Sequence, residues 1–197
     1  MIELWVVRHG QTDWNVEGRY QGQTDVPLNE VGHQQAQQLA QSLPNLAFAA
    51  LYTSDLSRAQ MTADILGQHL GLHPIPDVRL REMSHGQWEG LLVRDKVRPN
   101  PNAPQTPIDP TQPNAPGGES ILQVAQRAAD FANQLLPLYP NQRVLIVTHG
   151  VTAAVLKCHV NGFPLANLYQ HIPNNTTLLT LPWPPQKSLD ELLLPNA

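Results

Sequence analysis

Two histidines at the ends of apolar runs define the chemistry open to this chain. Leu4-Trp5-Val6-Val7 leads into Arg8, His9 and Gly10, and Val144-Leu145-Ile146-Val147-Thr148 leads into His149 and Gly150. An arginine stays charged at any working pH, and its planar fork matches a phosphate or a carboxylate. A cation beside His9 favours the neutral imidazole, which is the nucleophilic form. Gly10 lets the backbone turn sharply and come close to a ligand. One Arg-His pair alone reads as a polar strand end in solvent. The repeat of the same ending at His149 points to a shared site.

The elements that would carry these residues follow from the pattern around them. Both runs are short, apolar and rich in β-branched residues, as in strands buried on both faces. If the two strands are parallel, both histidines lie on the carboxyl edge of one sheet, where open α/β sheets bind ligands. Asn29 caps a predicted helix to about Leu43, with Val31, Ala36, Leu39, Ala40 and Leu43 as its apolar stripe. Leu46 to Tyr52 reads as a second strand. Ser54 can cap a helix that ends at Gly71, and Pro74 to Val78 is a short strand. Ser120 and Gln123 form a capping box for a helix to about Leu136. A helix follows from Gly150 to His159. Thr176 to Leu181 alternates as a last strand, stopped by Pro182-Trp183-Pro184-Pro185. The pattern predicts an α/β fold: three αβα layers, a mostly parallel sheet and helices on both faces. It is expected to form one domain over residues 1–197.

Composition narrows the function. The 197 residues carry a net charge of −4 and no basic patch, which argues against a nucleic-acid partner. The single cysteine, Cys158, excludes an internal disulfide framework and fits a reducing cytosol. Strand-forming sequence starts at Ile2, so no signal peptide is expected, and no apolar run reaches membrane-spanning length. His69 and His73 have helical metal-pair spacing, but Gly71 ends the helix between them, and no metal is assigned. The prolines between Asp95 and Pro116 predict an extended, polyproline-like excursion or lid over 95–117. The tail, 182–197, carries Leu189, Leu192, Leu193 and Leu194, which would pack on this chain or on a partner subunit.

Arg58 lies in the first turn of its helix, where the dipole disfavours a cation. A buried anion would remove the conflict, and a solvated arginine is the alternative.

The ordered set Arg8-His9-Gly10, Ser54-Asp55-Leu56-Ser57-Arg58-Ala59, Glu82, Gly86-Gln87-Trp88-Glu89-Gly90, Gly118-Glu119-Ser120 and Thr148-His149-Gly150 resembles the histidine phosphatase superfamily, the phosphoglycerate-mutase-like enzymes. The resemblance runs from about Ile2 to about Leu181. It implies a phosphomonoesterase working through a phosphohistidine, without metal or other cofactor. It implies His9 as nucleophile, Glu82 as acid/base, and Arg8, Arg58 and a protonated His149 as the charges on the phosphoryl group. A bound phosphate also favours the protonated form of a carboxyl beside it. Asn15 and Gln21, the backbone at Gly22 and Gln23, and Gly150 are implied in substrate binding. Glu89 reads as structural, as do His159 and His171. The stretch Glu82-Met83-Ser84-His85-Gly86-Gln87-Trp88, continued by Gly90-Leu91-Leu92-Val93, is most similar to the metal-independent phosphoserine phosphatases, where a histidine at the place of His85 reads the amino-acid part of the substrate. The expected substrate is a small phosphorylated metabolite, first of all L-phosphoserine. The alternatives are α-ribazole phosphate, a sugar phosphate, a broad range of esters, a mutase reaction, or an inactive module that binds a phosphorylated ligand. A cytoplasmic homodimer is expected.

Overall fold

The computed structural model describes residues 1–43, 46–96 and 108–193. In chain order the elements are β1 (Ile2–Arg8), α1 (Asp13–Glu17), α2 (Glu30–Ser42), β2 (Ala50–Thr53), α3 (Ser57–Leu70), β3 (Pro74–Pro76), α4 (Val93–Lys96), α5 (Ile121–Leu135), β4 (Arg143–Thr148), α6 (Gly150–Asn161) and β5 (Leu178–Trp183). One sheet runs β3-β2-β4-β1-β5, parallel except for β5.

The two central strands explain their own composition. In β4, Val144 and Ile146 face one side while Leu145 and Val147 face the other. In β1, Leu4 and Val6 share the first side and Val7 the second. Each side is covered by helices, so a period of two leaves no position for a polar side chain. On the first side α5 and α6 bring Ile121, Val124, Phe131, Leu135, Val155 and Leu156. On the second α2 and α3 bring Ala40, Ala59, Ala63 and Leu66. The expected three-layer architecture is therefore present.

Several boundaries differ from the sequence reading. Val31 is 46% exposed rather than part of the α2 stripe, and the tight face is Gly32, Ala36 and Ala40. A Cβ on Gly32 would come within 2.1 Å of the Gln11 carbonyl oxygen, so small residues set that contact. β2 starts at Ala50 rather than Leu46, and β3 stops at Pro76. The α3 cap position is Leu56, without a side-chain bond, and Ser54 Oγ instead accepts from the Leu56 amide at 3.3 Å. β5 starts after Thr176, which has φ +54°, and runs through Pro182 to Trp183. Proline fits there because β5 is an edge strand with one partner.

The tail and the proline-rich segment can be followed only in part. Leu192 is buried, and Leu189 and Leu193 pack beside it against the α5–α6 core. Of the two packings the sequence left open for this tail, these leucines take the one on this chain; Leu194 lies outside the described residues. Of the proline-rich excursion, 97–107 lie outside the described residues. Residues 108–117 form hydrogen-bonded turns, not an extended polyproline helix. Asp109 Oδ1 accepts from the Thr111 amide at 2.9 Å, and the Ala115 carbonyl accepts from Gly118 at 3.0 Å. Among the described residues no helix is long and apolar enough to cross a membrane.

Candidate active site

The pairing of β1 with β4 sets Arg8 opposite Thr148, so the next residues, His9 and His149, leave the sheet side by side. Their rings are 5.1 Å apart, and both are almost wholly buried. The Gly10 carbonyl can only accept, so the 2.7 Å contact from His9 Nδ1 puts the proton there and leaves the lone pair on Nε2. Asn175 holds the turn by donating to the His9 carbonyl at 2.8 Å.

Arg58 follows from the start of α3, a turn with no acidic residue. Its side chain is completely buried and donates to the carbonyls of Thr24 at 2.9 Å and Gly22 at 2.7 Å. Arg8 donates to the Pro173 carbonyl at 2.8 Å. Four buried nitrogens here have no hydrogen-bond partner among the described residues: Arg8 Nε, Arg58 Nε and both ring nitrogens of His149. Unpaired buried polar groups are rare in folded proteins, and a cluster of them marks a place for a ligand. The two guanidinium groups make that ligand an anion.

Burial dominates the electrostatics. It holds the imidazoles of His9 and His149 well below their ordinary range, and the positive charges of Arg58 and Arg8 add to both shifts. Burial also lowers Arg8 and pulls Arg58 down to about 10. A protonated His149 was expected with phosphate bound. Without an anion the surroundings favour its neutral ring, and a phosphate dianion would push the other way.

Glu82 approaches from the segment after β3. Its Oε1 accepts from the amides of Met83 at 2.9 Å and Val151 at 3.1 Å, and its Oε2 accepts from Val151 at 3.2 Å. A Cβ on Gly150 would press on Ile172 Cγ2 at 3.1 Å and come into ordinary contact with Glu82 Oε2 at 3.5 Å and Arg8 Cζ at 3.6 Å, so the glycine faces the same corner as both groups. Glu89 is the internal tie the sequence suggested. It accepts from the amides of Gln23 at 3.0 Å and His85 at 3.1 Å and from Thr24 Oγ1 at 2.6 Å. The Gln23 amide is therefore not open to a ligand, and the Gly22 carbonyl is taken by Arg58. With φ +53°, Gly22 has its missing Cβ 2.1 Å from Glu89 Oε1, so only glycine fits.

One cavity of about 660 Å³ joins these groups. Arg8, His9, Asn15, Gln21, Gly22, Arg58, Glu82, His85 and Gly150 line it; His149 lies directly behind, against His9. The carbonyl oxygens of Asn15 and Gln21 are engaged by Thr12, which leaves their –NH₂ ends for a ligand. The outer wall adds Tyr20, Trp88, Ile108, Asn114, Tyr169 and Ile172. Tyr20 packs edge-on against His85, with ring centroids 4.8 Å apart.

The profile of the histidine phosphatase superfamily (branch 1) matches residues 4–191. The chain belongs to the histidine phosphatase superfamily. It is 38% identical over 165 residues to a probable phosphoglycerate mutase, GpmB, of Cronobacter sakazakii, covering 83% of this chain and 77% of that protein. It is 33% identical over 170 residues to Phosphoserine phosphatase 1 of Hydrogenobacter thermophilus, covering 86% and 81%. The structure of a mycobacterial glucosyl-3-phosphoglycerate phosphatase complexed with VO3 superposes with a TM-score of 0.81 at 34% identity, covering 90% of each chain. This superfamily member is thus an enzyme of histidine-phosphatase type, a phosphatase or a mutase.

Sequence reasoning passed over Asn175, Asn114, Ile108, Tyr169 and Ile172. Asn175 had a usable signal. An antiparallel edge strand after a parallel sheet must begin at the carboxyl edge, so the turn before β5 returns to His9. Tyr169 sits in a short 3-10 helix, Leu165–His171, and Asn114 in a turn segment; they meet only in space, with Asn114 Nδ2 donating to Tyr169 Oη at 2.6 Å.

Proposed function

We propose that this enzyme is a phosphomonoesterase that works through a phosphohistidine. The cluster of unpaired buried nitrogens beside His9 carries the reading, because it is a hole for a tetrahedral anion next to an imidazole lone pair. His9 Nε2 attacks phosphorus in line, the N–P bond forms and the P–O bond to the alcohol breaks. Glu82 gives its proton to the departing oxygen. The Glu82 carboxylate then takes a proton from water, the new O–P bond forms, the N–P bond breaks and phosphate leaves. Arg8, Arg58 and His149 compensate the charge on the phosphoryl oxygens throughout.

L-Phosphoserine is the substrate read from the sequence. His85 on the cavity wall and the 33% identity to a phosphoserine phosphatase support it. A second reading, a larger phosphomonoester bearing a ring, draws support from the cavity itself. Its volume of about 660 Å³ exceeds what a phosphorylated amino acid fills, and Tyr20, Trp88 and Tyr169 give it aromatic walls. Phosphate release should be measured on L-phosphoserine, 3-phosphoglycerate, α-ribazole phosphate and glucosyl-3-phosphoglycerate, with isomerisation followed in parallel. Hydrolysis unaffected by EDTA is expected. Isomerisation faster than release would replace the phosphatase by a mutase, and inhibition by EDTA would overturn the mechanism.

A further inference from the structure

The Gly118-Glu119-Ser120 stretch takes no part in the chemistry above, yet its glutamate is tied to the segment that carries Glu82. Arg127, on α5, supplies the tie. Its Nε donates to Glu119 Oε1 at 2.9 Å, and its Nη1 donates to the carbonyls of Arg79 at 2.6 Å and Arg81 at 2.7 Å. Its Nη2 donates to the Glu82 carbonyl at 3.0 Å and to Glu119 Oε2 at 3.1 Å. A guanidinium has five N–H donors, and here every one is used. Glu119 Oε2 in turn accepts from the Ser84 amide at 2.8 Å, and the Glu119 amide donates to the Ser84 carbonyl at 2.9 Å.

The segment Arg79–Glu82 is therefore fixed by side chains rather than by a sheet ladder. Its carbonyls at 79, 81 and 82 are held by Arg127, and that of Leu80 accepts from Thr148 Oγ1 at 2.7 Å. Thr152 Oγ1 adds a second bond to the Arg81 carbonyl at 2.7 Å. Such an array does little for a surface loop, but it fixes where the next side chain, that of Glu82, enters the cavity. General acid catalysis demands that placement, because a proton passes only over hydrogen-bond distance.

We propose that Arg127, braced by Glu119, is a positioning residue that sets the Glu82 carboxyl against the departing oxygen. The inference rests on the reading of Glu82 as the acid. Lysine cannot replace Arg127, because three donors on one nitrogen cannot span five acceptors in a plane.

The test compares two aromatic phosphomonoesters of different leaving-group quality. p-Nitrophenyl phosphate releases a stable anion and needs little protonation, whereas benzyl phosphate releases a poor leaving group. For each, kcat/KM reports the transfer to His9. Arg127→Met and Arg127→Lys should lower the value for benzyl phosphate by about 10- to 100-fold, within the range of a lost general acid, and that for p-nitrophenyl phosphate by less than ~5-fold. Inhibition by inorganic phosphate should be largely kept, since Arg127 makes no hydrogen bond to Arg8, Arg58 or His149, although its charge helps to lower the His149 imidazole. Glu119→Gln should show the same selectivity at smaller size, and it decides the matter if the Arg127 variants do not fold. Equal losses on both esters, no loss, or rescue by lysine would overturn the proposal. Glu82→Gln separates the two ideas. If it lowers both esters equally, the acid role fails and the positioning role with it. If it is selective and the Arg127 variants are not, only the positioning role fails.

Discussion

The inner and outer halves of the cavity are built in different ways. The inner half is made of strand ends and helix starts: Arg8 and His9 after β1, His149 and Gly150 after β4, and Arg58 at the head of α3. It is buried, positive and short of hydrogen-bond partners. The outer half is made of connecting segments. Tyr20 follows α1, His85 and Trp88 lie between β3 and α4, Asn114 precedes α5, and Tyr169 follows α6. It is aromatic and largely satisfied. On the proposed reading, the reaction belongs to the sheet and the choice of substrate to the segments. Loops can vary in length and sequence without disturbing the two central strands.

The largest expected effect attacks the inner half. His9→Ala should lower turnover by at least ~10⁴-fold on every ester, and acid-labile phosphate should no longer be trapped on the protein. Substantial activity in that variant would end the assignment. A smaller effect should sharpen the outer half. Tyr20→Ala or Tyr169→Phe should change the ratio of kcat/KM between L-phosphoserine and ring-bearing esters by about 10- to 100-fold, with inhibition by inorganic phosphate unchanged. Uniform losses across the panel would erase the distinction between the halves.

The smallest effect concerns stability. His9 and His149 have folded pKa values pushed down by burial, so below about pH 6.5 the unfolded chain binds more protons than the native one. Their contribution is complete above that pH and is lost progressively as pH falls from there toward the lowered folded values. Tm should therefore drop by several degrees between pH 7 and pH 5, as measured by calorimetry. Saturating phosphate, which binds only the native state, should raise Tm, by an amount equivalent to ~2.7 kcal/mol at a hundred times its Kd. A His149→Gln variant should keep a flatter profile. An equal slope in that variant would mean that other groups control acid sensitivity.

Local signals carried the inner half. An apolar run ending in Arg-His-Gly is a strand meeting a ligand edge, and two such runs suffice to place both histidines together. Arg58 stood out as a cation in a first helical turn, but it took the family resemblance to choose the buried site over a solvated arginine. The capping box of Ser120 and Gln123 and the left-handed Gly71 were equally local. Signals failed where a neighbour in space decided the outcome. Val31 continues the apolar period but points to solvent, because Gly32 makes the close contact. Pro182 looks like a strand stop, yet the open side of an edge strand tolerates it.

The sequence alone determined the α/β architecture and the superfamily, and the resemblance to that superfamily named Arg8, His9, Arg58, Glu82 and His149 as the candidate site. The architecture rests on short-range periodicity, and the resemblance rests on an ordered set of short motifs. Only the tertiary structure decided the aromatic outer wall, the inward packing of Leu192 and the five hydrogen bonds of Arg127. Each depends on segments far apart in the chain whose contact no local pattern encodes. Arg127 makes the physical reason plain: on α5 it is one more polar residue of an amphipathic helix, and its five partners become visible only when that helix is packed beside the Glu82 segment.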